Sequence, residues 1–249
     1  MQGDDYALHV MQHAANSEGS ATQAGQAVYS NAVLNIYDLF VLGLSCRAVW
    51  QCSSKHLLAH YQAHVGARHL DVGVGTGYFL DRVHFPAWSR SAAWSRAASE
   101  ASAAPITLFD LNANSLQHAA RRIARYQPEI RQGDVLEPND LPDESFDSIA
   151  LSFLLHCLPG SETGPGKWRA FDHLKSKLKP SGVLFGSTIL GAPEPPLLRQ
   201  RLLMGVYNRK GIFGNARDDR ATLERELRGR FRHVEISTRG VVALFSARP

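Results

Sequence analysis

Residues 70–80 read LDVGVGTGYFL. His69, Leu70 and Val72 flank Asp71 in a short apolar run, which predicts a buried strand ending at Gly73. Glycines at 73, 75 and 77 let the backbone turn tightly and let a ligand come close to it. Tyr78 to Val83 then predicts the start of a helix, whose first N–H groups have no partner within the helix. A strand, a glycine turn and a helix in this order open an α/β sheet of the kind that binds ligands at the carboxyl ends of its strands.

The spacing narrows the ligand. A dinucleotide fingerprint is G-x-G-x-x-G/A, which from Gly73 requires a small residue where this chain has Tyr78. The third glycine stands one place earlier, at Gly77. Asp71 puts a carboxylate beside anything lying over the turn, which opposes a pyrophosphate and suits a cation. Both features argue against an NAD-dependent reductase.

Outward from this turn, apolar strands alternate with helical patterns. Strands are predicted at Ile106–Asp110, Glu129–Gln132, Phe146–Phe153 and Val183–Leu190, then at Phe231–Ser237 and Val241–Ala247 around Arg239-Gly240. Helices are predicted over Val28–Trp50, Leu57–His64, Ser115–Tyr126, Trp168–Leu178 (stopped by Pro180) and Ala221–Leu227. Strand–helix alternation implies parallel pairing, because parallel strands need a crossover. The tight link between the last two strands makes them antiparallel neighbours. The expected fold is α/β, a Rossmann-like doubly wound sheet of seven strands, mostly parallel, with an antiparallel strand at one end.

Two more acids stand at strand ends. Asp110 closes the second strand, where a carboxylate can accept hydrogen bonds from a ribose diol. It lies well beyond the ~20 residues usual in dinucleotide folds, and the excess is HFPAWSRSAAWSRAASEASAA, residues 84–104. This Ser/Ala-rich tract with two Trp reads as a surface insertion. Asp134, behind Gly133, could accept from an adenine amino group. Asp71, Asp110 and Asp134 share one edge of the expected sheet and suit one adenosine-bearing cation.

Composition bounds the rest. Of 249 residues, 44% are hydrophobic and 20% charged, which excludes a disordered or collagen-like chain. No run approaches the ~18 apolar residues of a membrane helix, and MQGDDYALHV lacks the pattern of a signal peptide. Cys46, Cys52 and Cys157 are too scattered for a disulfide framework or a zinc site, and read as idle thiols in a reducing cytoplasm. No metal site is expected. The net charge of +4 is small, and its densest cluster, Arg121, Arg122 and Arg125, has helical spacing. That argues against a nucleic-acid partner. Residues 1–27 are polar and read as a loose or helical arm, leaving 28–249 as one domain. The oligomeric state is open.

Five segments together, LDVGVGTGYFL (70–80), TLFDLNANSL (107–116), GDVLE (133–137), FDSIALSFLLHCLP (146–159) and LKPSGVLFGSTIL (178–190), resemble the class I S-adenosylmethionine-dependent methyltransferases, in the small single-domain branch called type 11 or type 12. The resemblance implies a seven-stranded sheet with its last strand inserted antiparallel, and S-adenosyl-L-methionine as cofactor. It implies that Gly73, Gly75 and Gly77 pass under the cofactor's methionine and ribose, and that Asp110 holds the ribose with Leu111 against the adenine. Asp134 and Val135 would flank the adenine amino group, and Ser152 and Phe153 would lie near the methionine part. An aromatic residue ahead of the first strand, Tyr29 or Tyr37, would close over the cofactor.

Methyl transfer from a sulfonium is an in-line displacement that needs alignment, exclusion of water and, for some acceptors, removal of a proton. His156 is the best candidate base, because it follows the fourth strand and histidine titrates near neutrality. Ser152-Phe153-Leu154-Leu155 lacks the Asn/Asp-Pro-Pro-aromatic motif of base-directed amino methyltransferases. In LLMGVYNRKGIFGN (202–215), Tyr207, Asn208, Phe213 and Asn215 mix aromatic and polar groups as small-molecule pockets do, and Gly211 and Gly214 would allow a lid. The expected function is methylation of a small molecule, in secondary metabolism, at an O, N, C or S acceptor. The alternatives are a fold relative that binds the cofactor without methylating, the NAD-dependent reductase, and an RNA or protein methyltransferase, which would need a recognition surface.

Overall fold

A computed structural model describes residues 49–85, 105–160, 166–191 and 198–249. The arm at 1–27, the predicted helix up to residue 48, Tyr29, Tyr37, Cys46 and residues 86–104 of the insertion lie outside the described residues.

The strands are β1 (His69–Val72), β2 (Ile106–Asp110), β3 (Glu129–Gln132), β4 (Phe146–Ser152), β5 (Leu178–Ile189), β6 (His233–Arg239) and β7 (Val242–Arg248). The helices are α1 (Ser54–His64), α2 (Tyr78–Arg82), α3 (Ala113–Arg122), α4 (Arg169–Lys175), α5 (Leu198–Arg209) and α6 (Arg220–Arg228). One sheet contains all seven strands in the order β3-β2-β1-β4-β5-β7-β6. Pairing is parallel from β3 through to β5, and β7 runs antiparallel to both β5 and β6. The antiparallel strand is therefore inserted between β5 and the edge strand β6. The chain runs outward from β1 to β3 and then returns to place β4 on the other side of β1. The carboxyl ends of β1 and β4 thus diverge at a topological switch point, where such sheets leave a ligand crevice.

The central strands are buried on both faces, which is why they read as continuous apolar runs. On one face Leu70, Val72, Ile149, Leu151 and Leu184 pack with Phe171 and Leu174 of α4 and Leu223 and Leu227 of α6. On the other, Ile106, Leu108, Ala150 and Phe185 pack with Tyr61 of α1, Leu80 of α2 and Leu116 of α3.

Local chemistry sets the boundaries. The Asn112 side chain accepts from the N–H groups of Asn114 (2.9 Å) and Ser115 (3.3 Å), so α3 begins before the expected Ser115. It ends at Arg122, and a separate 3-10 turn spans Ala124–Tyr126. Asp219 caps α6 by accepting from the Thr222 N–H at 2.6 Å. The helix expected over 168–178 stops at Lys175, and Pro180 lies inside β5 instead of ending a helix. The strand tolerates it because the β4–β5 register shifts between Phe146 and Ser148: Phe146 pairs with Leu178, and Ser148 pairs with Val183. Residues 179–182 bulge from the ladder, where a missing N–H costs nothing.

Arg122 and Arg125 both bind Asp81, at 3.3 and 2.8 Å. Their positive charge is engaged in joining α3 and the 3-10 turn after it to α2. The Cys52 and Cys157 thiols are pushed by burial to about 11 and about 12, so both stay protonated at neutral pH.

Candidate active site

The three glycines of the turn all have left-handed backbone, with φ of 73°, 52° and 72° at Gly73, Gly75 and Gly77. Their surroundings differ. A Cβ on Gly73 would stand 2.8 Å from Leu154 Cδ1, and one on Gly77 would stand 3.1 Å from the Ala119 Cα. Those two glycines let β4 and α3 approach. A Cβ on Gly75 would meet nothing within 4 Å. Gly75 therefore faces open space over the turn, the shape needed for close approach of a cofactor to the backbone.

Asp110 ties this turn to β2. Its carboxylate accepts the Asn112 N–H at 2.8 Å and is also bonded by the N–H groups of Val74 and Gly75. Burial raises its pKa to about 6, assisted by the charge of Asp71 and opposed by those three N–H groups. Leu111 is half-buried, and its carbonyl accepts from Gln132 Nε2 at 3.0 Å. Asp134 folds its own loop by accepting the Leu136 N–H at 2.9 Å. The Val135 side chain is in the core, and its carbonyl is 3.1 Å from His173 Nδ1. Asp71, Gly73, Gly75, Gly77 and Asp110 thus meet around one turn, and the Asp134 loop adjoins β2 through the Gly133 N–H to Asp110 carbonyl bond at 3.1 Å.

On the β4 side, Ser152 and Phe153 are half-buried. Phe153 has φ of 58°, a left-handed conformation unusual for an aromatic residue, and its N–H donates to the Ser187 carbonyl at 2.8 Å. Such a conformation costs of the order of 1 kcal/mol or more and is typically held at functional sites. It swings the chain so that Leu154 packs on Gly73. His156 follows in a buried 3-10 turn. Its Nδ1 accepts the Ile189 N–H at 3.3 Å, and burial, with Lys167 second, holds its pKa down to about 3.

Beyond lies a cluster of rings, of which Phe153, His156, Tyr207 and Phe213 were singled out from the sequence and Trp50 was not. The Phe213 ring lies 4.6 Å from His156, 4.9 Å from Tyr207 and 6.2 Å from Trp50, centre to centre, and Phe153 is 5.6 Å from His156. Tyr78, Phe79 and Phe153 border the same apolar cluster, so it begins at the glycine turn. Trp50 reads in the sequence only as the end of the helix predicted from Val28, whereas residues 49 and 50 form a turn and a bend. The polar groups of 202–215 serve the scaffold: Asn208 Nδ2 donates to Asn215 Oδ1, and Asn215 Nδ2 donates to the Ile189 carbonyl, both at 2.9 Å. Gly214 is pinned by its N–H on the His156 carbonyl and by Lys167 Nζ on its own carbonyl, both 2.8 Å.

Similarity to known proteins agrees with this arrangement. A family model described as "Methyltransferase domain" matches residues 70–184. Demethylluteothin O-methyltransferase of Streptomyces thioluteus is 37% identical over 223 residues, covering 90% of each chain. The physcion biosynthesis cluster O-methyltransferase of Aspergillus chevalieri is 36% identical over 230 residues, covering 91% of this chain and 95% of its own. Among solved structures, a DhpI complex with SAH superposes with a TM-score of 0.60 at 18% identity, over 94% of this chain and 98% of the other, which speaks to the fold. The reductase and non-methylating readings find no such support. The chain belongs to the class I S-adenosylmethionine-dependent methyltransferases, and its activity is methyl transfer from S-adenosylmethionine to a small molecule.

Proposed function

We propose that the acceptor is an oxygen, on a flat phenol or enol. The observation that carries this is the ring cluster of Phe213, His156, Tyr207, Trp50 and Phe153, which starts at the glycine turn and in which Phe153, Tyr207 and Phe213 keep exposed surface over the buried Trp50 and His156. Such walls bind planar apolar molecules and exclude water. The names of the two relatives as O-methyltransferases point the same way.

S-adenosylmethionine supplies a methyl group already activated by its sulfonium. This chain's residues bind and orient. Gly75 offers a surface without a side chain, on a turn that Gly73 and Gly77 shape by admitting Leu154 and Ala119. Asp110, held by three N–H groups, accepts from the ribose hydroxyls beside Leu111, while Asp134 and the Val135 backbone border the adenine. Asp71 meets the cationic amino-acid end, near Ser152 and Phe153. His156 stays neutral, and with Nδ1 engaged by Ile189 its ring proton sits on Nε2. In that state it is a buried hydrogen-bond donor, not a base. The acceptor then enters as its own conjugate base, which an acidic phenol or enol readily forms.

The test is incubation with S-adenosylmethionine and a panel of phenols, enols, amines and thiols, with products read by mass spectrometry. Methylation confined to phenols and enols, with a pH profile that follows each acceptor's own pKa, is the expected result. N- or S-methylated products, or a profile independent of the acceptor, would overturn the oxygen assignment.

A further inference from the structure

A buried line of hydrogen bonds runs from the loop before β1 to the Asp71 carboxylate. The Gly66 N–H lies 2.7 Å from Ser148 Oγ, Ser148 Oγ lies 2.8 Å from His69 Nδ1, His69 Nε2 lies 2.7 Å from the Tyr61 hydroxyl, and that hydroxyl lies 2.5 Å from Asp71 Oδ2. Tyr61, His69, Asp71 and Ser148 are all buried. Through a neutral imidazole, the Asp71 end forces one direction, because Tyr61 has a single hydrogen to give. A backbone N–H only donates and a carboxylate only accepts. Ser148 therefore accepts from Gly66 and donates to Nδ1, His69 donates from Nε2 to Tyr61, and Tyr61 donates to Asp71. Each link polarises the next toward the carboxylate.

We propose that Tyr61, His69 and Ser148 are positioning residues that hold Asp71 for the ammonium group of the cofactor's amino-acid end. The inference rests on the reading of Asp71 as a cofactor contact. Tyr61 fixes Oδ2, and Oδ1 has no hydrogen-bond partner among the described residues. An ammonium can donate to that oxygen, whereas a sulfonium has no proton to give. The relay is also braced sideways: the Tyr61 ring stacks on Phe79 at 5.5 Å and meets Phe185 edge-on at 5.1 Å. Phe79 belongs to the helix that follows the glycine turn, so the group that orients Asp71 is packed against the turn itself.

The chemistry of two ligands separates this role from general support of the fold. S-adenosylhomocysteine carries the ammonium, whereas 5′-deoxy-5′-methylthioadenosine keeps the adenosine and thioether but lacks the amino-acid end. Tyr61→Phe retains the ring contacts and removes only the hydroxyl. Calorimetric titration of the full chain is expected to show S-adenosylhomocysteine weakened about tenfold, the scale of one loosened bond to a charged group. Methylthioadenosine should stay within about twofold of the unsubstituted protein. Ser148→Ala, at the far end, should give the same pattern at about threefold, and it carries the test if Tyr61→Phe does not fold. Equal weakening of both ligands, or no weakening of S-adenosylhomocysteine, overturns the relay. Failure of the unsubstituted protein to bind either ligand would instead remove the cofactor site, and the relay's purpose with it.

Discussion

The Lys167 ammonium and the Asp218 carboxylate meet at 2.8 Å with both side chains buried, and Lys167 also donates to the Gly214 carbonyl. Burial opposes the charge on each, lowering the Lys167 pKa and raising that of Asp218, while each partner opposes that effect on the other. The pair joins the turn before α4 to the loop that carries Phe213. Its geometry favours mutual charge, because each group is also the other's hydrogen-bond partner.

Lys167→Met is expected to destabilise the protein by about 3–5 kcal/mol, since it strands the Asp218 carboxylate in the core. Adding Asp218→Leu should recover most of that loss. Urea unfolding of the two variants measures the difference. A single variant as stable as the parent would show that the pair is not ionised and buried together.

Gly75→Ala separates folding from binding. The new methyl enters open space, so the stability loss is limited to the left-handed backbone, about 1–2 kcal/mol. The same methyl occupies the face proposed for the cofactor, and S-adenosylmethionine affinity should fall at least about tenfold. Gly73→Ala should instead lose more stability, because its Cβ would stand 2.8 Å from Leu154. Thermal unfolding and calorimetry on both variants decide this.

His156 makes the fold acid-sensitive. Its folded pKa of about 3 lies below the ordinary 6.5, so the unfolded chain binds its proton first as pH falls. The stability that this group contributes is complete above pH 6.5 and declines below it toward pH 3, with a limiting slope of about 1.4 kcal/mol per pH unit. His156→Gln should flatten urea-unfolding free energies between roughly pH 4 and 6. An unchanged slope would assign the acid sensitivity elsewhere, for example to His60, which burial lowers to about 4.

Thr188 is buried on β5, and its hydroxyl has no partner among the described residues. Thr188→Val keeps the shape and removes the polar atom. It should stabilise the protein by up to about 1 kcal/mol, measured as a higher melting temperature. A loss of stability would mean that an ordered water or a residue outside the described set satisfies the hydroxyl.

Local sequence was enough to place several elements. Ile106–Asp110 and Glu129–Gln132 were predicted with the bounds observed, because short runs between turn residues leave little freedom. Asp71, the three glycines and Asp110 were legible too, since strand ends and turns are local features whose spacing survives an insertion. Pro180 misled the reading: a proline after a helical pattern normally ends the helix, but here a register shift against β4 absorbs it. A shift of that kind is a property of two strands, and one strand's sequence does not contain it.

The succession of strands and helices along the chain, the glycine turn and the acids that surround it were determined by the sequence alone, through periodicity of 2 or 3.6 and the few conformations that glycine permits. Tertiary structure decided which polar residues were partners. Tyr61 and His69 come from separate elements, Ser148 from a strand far along the chain, and Lys167 finds Asp218 across a loop. A buried polar group must find a partner wherever the fold brings one, so its identity follows from packing and not from spacing.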